Sequence, residues 1–353
     1  MSTIKQLLIR PLRIGLLAGM PLLSSATTVT SDVVGYVSLK VNAGTGSSYV
    51  FTPLALPLYQ PATNIDGKVS GTIGTFTNNT LTVDNAGWIP GQLSQKSSPY
   101  CIRITSGVAE GRVLLISSST NNTTDTLTID LPYSEINDLT VLGISPTSDT
   151  YDIIECDTLA TLFGAPSTGG IIGANSFNEA DQIWMFTKRS WKKFFYSTEL
   201  HRWTRRSRGN PDASAQVIMP NSGFLYARKG QSDLKFSISG KVTKEIKTIT
   251  VYSSGITVLG NTWPVDLTLS QLKIASLDNW QSSADHTAAD QLWLLNNGYW
   301  NKYFHDGKDW RRISRGEPIS NEILIRSGSS LFLKRSSSGH TISKLQQYPP
   351  YTL

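Results

Sequence analysis

One Trp- and Arg-rich segment occurs twice in the chain. It is WKKFFYSTELHRWTRRSRG at Trp191–Gly209 and WNKYFHDGKDWRRISRG at Trp300–Gly316. Upstream of the segments, ADQIWMF (Ala180–Phe186) aligns with ADQLWLL (Ala289–Leu295). Self-similarity over this length is the mark of a duplicated structural unit, because each copy must bury the same apolar positions. The sequence therefore predicts two copies of one domain.

The copies differ in the spacing of their upstream parts. TLATL (Thr158–Leu162) matches TLSQL (Thr268–Leu272), and GYVSLKV from Gly35 resembles GKVTKEI from Gly240. The glycine precedes the ADQ aspartate by 146 residues in the first copy (Gly35 to Asp181) and by 50 in the second (Gly240 to Asp290). An insertion of roughly a hundred residues in the first copy explains this difference, since an insert between packed elements is tolerated.

The fold class predicted from these patterns is mainly β. Short β-branched and aromatic runs alternate with turn-forming Gly, Asn and Ser, and only 16% of residues are charged. We expect a duplicated β-sandwich or meander unit, a short helix from TLATLF or TLSQLK in each copy, and a small β-barrel-like module inserted in the first copy. The predicted boundaries are a signal peptide at 1–26, a first unit at 27–57 plus 156–230, an inserted module at 58–155, a second unit at 231–340 and a tail at 341–353.

The N-terminal segment has the pattern of a secretory signal peptide. Lys5, Arg10 and Arg13 precede an apolar stretch from Ile14 to Leu23, followed by the small residues Ser24–Ala26. Its removal would take away three of the 32 basic residues and none of the 26 acids, which lowers the formal charge from +6 to +3. We expect an exported protein of the periplasm, outer envelope or extracellular space, with no transmembrane segment in the mature chain.

Two cysteines, Cys101 and Cys156, each lie in a strand-like run. In an oxidising compartment they could form one disulfide, and two separate buried thiols fit the pattern as well. The sequence leaves both alternatives open.

The repeated segment also supplies the candidate ligand surface. Aromatic rings can stack on sugars, and a basic cluster suits an anionic polymer such as an acidic polysaccharide. The same side chains could instead pack the sheets, with Lys and Arg stems covering aromatic rings. The candidates are Trp191, Trp203, Trp300, Trp310, Lys192, Lys193, Arg205, Arg206, Arg311 and Arg312.

Catalytic signatures are absent from the sequence. HExxH, CxxC, GxSxG, GxGxxG and P-loop patterns do not occur, and the histidines (His201, His286, His305 and His340) lack metal-site spacing. The compact acidic group SDTYDIIECD alternates between two strand faces, which disfavours a calcium cage. We therefore predict no catalytic residues, no metal and no cofactor, although a glycosidase's two carboxylates could lie anywhere in a chain.

Several segments in this order resemble a family of exported proteins of unknown function from verrucomicrobial-type bacteria. They are the leader, VVGYVSLKV, YCIRITSGVAEGR, TLATLFG and the spaced tryptophans after DQIW. The resemblance implies a bacterial envelope or extracellular protein and supplies no activity and no functional residues.

These observations favour a non-enzymatic structural or adhesive envelope protein. The alternatives are a carbohydrate-binding module, for polysaccharide or another polyanion, and a hydrolase of unrecognised type. The expected partners are an envelope polysaccharide or another protein, and not nucleic acid, because the chain is predicted to be exported. The sequence predicts no oligomeric state.

Overall fold

The computed structural model confirms a mainly β fold. It describes residues 33–131, 136, 138–166, 170–296, 298–336 and 341–352, so the predicted signal peptide and His340 lie outside the described residues. The first unit begins with β1 (Val34–Val41) and β2 (Val50–Ala55). The inserted module contains β3 (Gln60–Pro61), β4 (Ser70–Thr72), β5 (Thr75–Thr77), β6 (Thr80–Thr82), β7 (Tyr100–Ile104), β8 (Val113–Ile116), β9 (Thr126–Asp130), the 3₁₀ helix η1 (Leu139–Leu142) and β10 (Thr150–Glu155).

The chain then completes the first unit and builds the second. The first unit resumes with α1 (Leu159–Phe163), β11 (Gln182–Thr187), β12 (Ser190–Ser197), β13 (Arg202–Arg205), β14 (Gly223–Arg228) and β15 (Leu234–Lys241). The second unit contains β16 (Lys247–Val251), β17 (Ile256–Gly260), β18 (Leu267–Thr268), the 3₁₀ helix η2 (Ile274–Ser276), β19 (Gln291–Asn296), β20 (Tyr299–His305), β21 (Trp310–Arg312), β22 (Leu324–Ile325), β23 (Ser330–Lys334) and β24 (Ser343–Gln347).

The two units have the same strand order. A five-stranded antiparallel sheet runs β13-β12-β11-β14-β2 in the first unit and β21-β20-β19-β23-β17 in the second. A two-stranded ladder accompanies each sheet, β1 with β15 and β16 with β24. Each unit has its own apolar core, which includes Trp203 in the first and Trp310 in the second. The duplication inferred from the aromatic segments is therefore confirmed as a duplication of structure.

The proposed alignment of Gly35 with Gly240 is wrong. These glycines face each other across the β1–β15 ladder, so they are hydrogen-bonding neighbours within one unit. The strand equivalent to β1 is β16, which follows Gly240 by several residues and pairs with β24. Because β15 pairs with β1, it belongs to the first unit, although it lies beyond the predicted boundary at residue 230. Because β24 pairs with β16, it belongs to the second unit, although it lies in the predicted tail.

The two predicted short helices differ in outcome. In the first unit, Thr158 caps α1 and exchanges hydrogen bonds with Thr161, the reciprocal arrangement of a capping box. Thr268 and Gln271 make the same exchange in the second unit. There the chain forms turns followed by the 3₁₀ helix η2. The start signal is therefore conserved between the units, whereas an α-helix follows it in only one of them.

The inserted module is a small β-barrel. Its sheet runs β10-β7-β8-β9-β6-β5, and β4 pairs with β10. Because β4 and β5 are separated only by Ile73 and Gly74, this one bent segment joins the first and last strands and closes the sheet. The backbone N–H of Ile73 donates to Asp149 at 2.9 Å and that of Gly74 to Thr82, also at 2.9 Å. Closure removes exposed sheet edges.

The two five-stranded sheets contact each other through their β2–β14 and β17–β23 sides. The contact is close at Gly223, where a Cβ atom would lie 2.3 Å from the Cβ atom of Ser330. The Ala55 N–H donates to the Gly328 carbonyl at 2.7 Å across the same contact. Apolar side chains from both units, among them Leu225, Val258 and Phe332, fill the space beside it. The units therefore share a packed boundary.

The two cysteines form a disulfide. Cys101 of β7 is bonded to Cys156, which follows β10, and both are buried against Tyr59 and Val217. Tyr59 directly precedes β3 of the barrel and Val217 belongs to the first unit, so the bond lies where the barrel joins the first unit. Of the two alternatives that the sequence leaves open, the structure shows the bonded one.

Replacing both cysteines by alanine should destabilise the barrel. The bond spans 55 residues, and closing a loop of that size is worth about 3–4 kcal/mol through the entropy of the unfolded chain. Urea unfolding of Cys101→Ala/Cys156→Ala should show that loss, and a reducing agent should shift the wild-type protein to the same midpoint. Equal midpoints for the oxidised wild type and the variant would contradict this role.

Candidate functional site

The ADQ motif fixes the framework that carries the candidate site. In the first unit the Asp181 carboxylate is buried, pairs with Arg228 at 2.5 Å and accepts the backbone N–H of Ile172 at 3.0 Å. In the second unit Asp290 pairs with Arg335 at 2.8 Å in the same way. A buried carboxylate needs such charged and backbone partners. Each pair holds the first strand of the repeated segment against its neighbouring strand.

The glutamine of the motif orients the tryptophan two residues later. The indole Nε1 of Trp184 donates to Gln182 at 2.9 Å, and that of Trp293 donates to Gln291 at 2.9 Å. The glutamine amides donate in turn to the Phe177 carbonyl at 2.9 Å in the first unit and to the His286 carbonyl at 2.8 Å in the second. These bonds give the motif a structural role in both units.

The four candidate tryptophans divide between core and boundary. Trp203 and Trp310 are 1% and 3% exposed and pack inside their own units. Trp191 lies at the boundary between the units, with its ring centroid 5.9 Å from that of Phe332. Trp300 also contacts Phe332, at 4.8 Å, and is 42% exposed. Trp300 is therefore the most solvent-exposed of the four tryptophans.

A large concave surface lies where the three modules meet. This junction groove has a volume of about 1140 Å³ and takes one wall from β8 of the inserted barrel. A second wall comes from the first unit, through the ends of β11–β13 and residues 211–217, and a third from β16 and β17 of the second unit. Ligand sites are commonly found at boundaries between domains.

Three cations line the first unit's side of this groove. Lys188 follows β11, Lys192 lies in β12 and Arg205 ends β13. Arg205 is paired with Phe194 in the sheet, so Lys192, two residues before Phe194, lies on the same face. We call these three residues the cationic wall. Within the described residues none of the three forms an ion pair with a carboxylate.

The cations of this wall lie close enough to influence one another. Burial lowers the pKa of Lys192, and the positive charges of Arg205 and Lys188 lower it further. A cation whose surroundings disfavour its charge is stabilised when an anion binds beside it. A negatively charged ligand bound beside the cationic wall would therefore stabilise the charged form of Lys192.

Strand alternation separates the basic residues that the sequence groups together. Lys193 lies on the opposite face of β12 and places its Nζ atom 3.5 Å from the ring centroid of Trp184. Arg206 stacks its guanidinium group 4.7 Å from the ring centroid of Phe177. Cation–π contacts of this kind are structural uses of a basic side chain. Lys192 and Arg205 thus line the groove, whereas Lys193 and Arg206 cover aromatic rings.

The second unit provides an internal comparison. The residue equivalent to Lys192 is Asn301, and the one equivalent to Arg205 is Arg312, which donates to the Asn301 side chain at 2.6 Å. Arg311 forms an ion pair with Asp306 and donates to the Glu317 carbonyl at 3.2 Å. Arg312 and Arg311 therefore have partners within the second unit, and neither lines the groove.

Other polar groups complete the groove. Lys96 and Asp130 contribute from the inserted barrel, and Asp212 contributes from the first unit. The side chain of Asp212 accepts the Ser214 N–H at 2.8 Å, and that bond lowers its pKa. The hydroxyl oxygen of Thr187 is buried in the groove and has no hydrogen-bond partner among the described residues.

The histidines and the acidic group have structural surroundings. His305 Nδ1 lies 3.1 Å from the Ser282 hydroxyl and also accepts the Gly307 N–H at 3.2 Å, which anchors a turn. Asp152 forms an ion pair with Arg103, and Asp149 accepts the Ser145 N–H at 2.8 Å. No group of three or more potential metal ligands occurs in the parts of the chain that the structure describes.

A buried lysine behind the groove gives no signal in the sequence. Lys247 lies directly before the lining residue Thr248 and is fully buried. Its Nζ atom lies 4.8 Å from the ring centroid of Tyr59 and 4.5 Å from that of Trp263, and it donates to the Thr262 carbonyl. The rings and the carbonyl favour the cation, but burial, aided by the charge of Arg103, lowers the pKa of Lys247 well below its ordinary value.

Replacing Lys247 by methionine should stabilise the protein at neutral pH. The unfolded chain keeps this lysine protonated up to about pH 10.4, so below that pH it binds more protons than the folded chain, and wild-type stability rises with pH. The advantage of Lys247→Met in urea unfolding should therefore shrink between pH 7 and pH 10. The exposed-site variant Lys308→Met should follow the wild type. Parallel pH profiles for Lys247→Met and the wild type would refute this account.

Comparison with protein-family models, curated proteins and solved structures finds no match to this chain. Among the described residues, no helix has the length and apolar character needed to cross a bilayer. The candidate function therefore rests on the geometry of the junction groove.

Proposed function

We propose that this protein is an exported, non-enzymatic adhesive component of a bacterial cell envelope or extracellular layer, and that it binds an anionic polymer in the junction groove. The observation that carries the proposal is the cationic wall, in which Lys188, Lys192 and Arg205 share a groove without carboxylate partners among the described residues. Clustered cations in a recess with apolar walls attract anions more strongly than the same cations on a flat surface.

The size of the groove supports a polymer. Its volume of about 1140 Å³ exceeds the roughly 300–1,000 Å³ of pockets that enclose small ligands. All three modules line it, so a bound chain would contact each of them. Contacts spread over several walls suit adhesion, because many modest interactions add to a stable attachment.

The covalent structure supports the proposed location. The Cys101–Cys156 disulfide is consistent with an extracytoplasmic protein, since disulfides persist in oxidising compartments. The signal-peptide pattern of residues 1–26 and the resemblance to exported bacterial proteins favour the same location. We assign the envelope or extracellular layer on these grounds.

The aromatic residues support a framework role. Trp203 and Trp310 are core residues, and the ammonium groups of Lys193 and Lys302 lie over the rings of Trp184 and Trp293. These tryptophans stabilise the two units and their boundary, which holds the groove's walls in place. The ligand-binding surface is accordingly assigned to the cations and not to a stacked row of indole rings.

Replacing Lys192 by asparagine tests the proposal. The second unit already carries asparagine at this position, so the fold should tolerate the change. Loss of one charge-assisted contact costs about 1.5–3 kcal/mol, and we expect affinity for immobilised polygalacturonate or heparin to fall about tenfold or more. Biolayer interferometry at fixed ionic strength measures this change.

The matched control moves the lysine charge to the second unit and keeps the net charge of the protein unchanged. The double variant Lys192→Asn/Asn301→Lys has the wild-type net charge but carries the lysine on the second unit. Under the proposal it binds as weakly as Lys192→Asn. Full recovery of affinity would mean that net charge, and not the groove, drives binding, and a wild-type protein that binds no anionic polymer would sink the proposal.

A further inference from the structure

Building on the proposed function, we infer that the ligand is a hydroxyl-rich polysaccharide with carboxylate groups, of the uronic-acid class, in preference to a phosphate polymer. The groove lining combines basic side chains with two carboxylates and apolar side chains, and this mixture suits a polymer that offers hydroxyl groups and apolar ring faces as well as negative charge.

The charge pattern is the first argument. Asp130 and Asp212 line the same groove as the cationic wall. A polyphosphate has only charged groups to place beside these carboxylates, and like charges at close range repel, whereas each ring of a polyuronate also carries uncharged hydroxyls. Carboxylates accept hydrogen bonds, so sugar hydroxyls can bind where phosphates are repelled.

The aromatic content of the groove is the second argument. Proteins that hold single-stranded nucleic acid stack its bases on exposed rings. The rings at this groove belong to Phe186, Phe194 and Tyr252. Phe194 and Tyr252 are 0% and 3% exposed, and Phe186 packs on Trp191 with ring centroids 5.1 Å apart. Among the described lining residues, the rings are therefore largely covered by packing and offer little surface on which bases could stack.

The apolar wall is the third argument. Val113, Leu115 and Met219 line the groove between the charged groups. The CH-rich faces of sugar rings are apolar and bury favourably against such side chains. An inorganic polyphosphate chain has no comparable surface, so this wall adds affinity for a polysaccharide over polyphosphate.

Two groups suit the carboxylate and hydroxyls of the ligand. The planar guanidinium group of Arg205 matches the two oxygens of a carboxylate, and the neighbouring Lys192 adds a point charge. We assign Arg205 and Lys192 to the uronate carboxylate, and the Asp130 and Asp212 carboxylates of the same groove to ring hydroxyls.

The test compares polymers of different chemistry on the full-length mature protein. Calorimetric titrations at one ionic strength would use oligogalacturonate, heparin oligosaccharide, polyphosphate, single-stranded DNA and neutral dextran. We expect oligogalacturonate to bind at least tenfold more tightly than polyphosphate or DNA, despite its lower charge density, and dextran to bind weakest. An affinity order that simply follows charge density would overturn the inference.

Replacing Asp130 by asparagine isolates the contribution of the acids. Asp130→Asn should strengthen polyphosphate and DNA binding several-fold and should weaken or leave unchanged the binding of oligogalacturonate. Asp66→Asn, at an exposed position of the same barrel outside the groove lining, serves as the charge-matched control. Equal gains for every polyanion in Asp130→Asn would also overturn the inference.

Failure of this inference can be told apart from failure of the proposed function. If the affinities of the polymers follow their charge density and Lys192→Asn abolishes binding, the groove binds anions without a preference for uronates. If no polymer binds the wild-type protein, both proposals fail together.

Discussion

A buried aspartate–arginine pair organises each half of this molecule. Asp181 and Asp290 directly precede the repeated strands β11 and β19. Each carboxylate accepts hydrogen bonds from backbone N–H groups as well as from its arginine partner. Because these carboxylates are removed from water, the local backbone must hold the geometry that satisfies them. The pair fixes β11 against β14, and β12 and β13 follow in register. The positions of Lys192 and Arg205 at the junction groove therefore depend on the Asp181–Arg228 ion pair, which joins β11 to β14.

Duplication gave the two units one framework and different surfaces. The motif glutamine, its tryptophan and the lysine over the indole recur in both copies. The indole–glutamine bond is 2.9 Å long in each, and the lysine Nζ lies 3.5 Å from the ring centroid in the first copy and 4.4 Å in the second. At the positions of Lys192 and Arg205 the second copy instead has Asn301 and Arg312, bonded to each other. Both units face the inserted barrel across the groove, and among the described lining residues the second unit contributes no charged side chain. The insertion thus created a recess that is lined by cations of the first unit and of the barrel.

Several features could be predicted from the sequence because they depend on local pattern. The ADQxW repeat predicted the duplication, the turn-rich β runs predicted the inserted barrel, and the TLATLF run predicted α1. Other features depend on long-range packing. Gly35 and Gly240 look equivalent in sequence, yet they are ladder partners. The basic cluster looks continuous, yet strand alternation sends Lys192 and Lys193 to opposite faces. Lys96 and Asp130 join the groove only because the barrel docks there, and no local pattern indicates that contact.

Hydrogen–deuterium exchange with and without an oligogalacturonate of several units tests the central claim most directly. If the groove holds the polymer, protection should rise together in β8 of the barrel, in β12 and residues 211–217 of the first unit, and in β16 and β17 of the second. Protection confined to the exposed hairpin around Trp300, or no change anywhere at saturating oligosaccharide, would contradict the account.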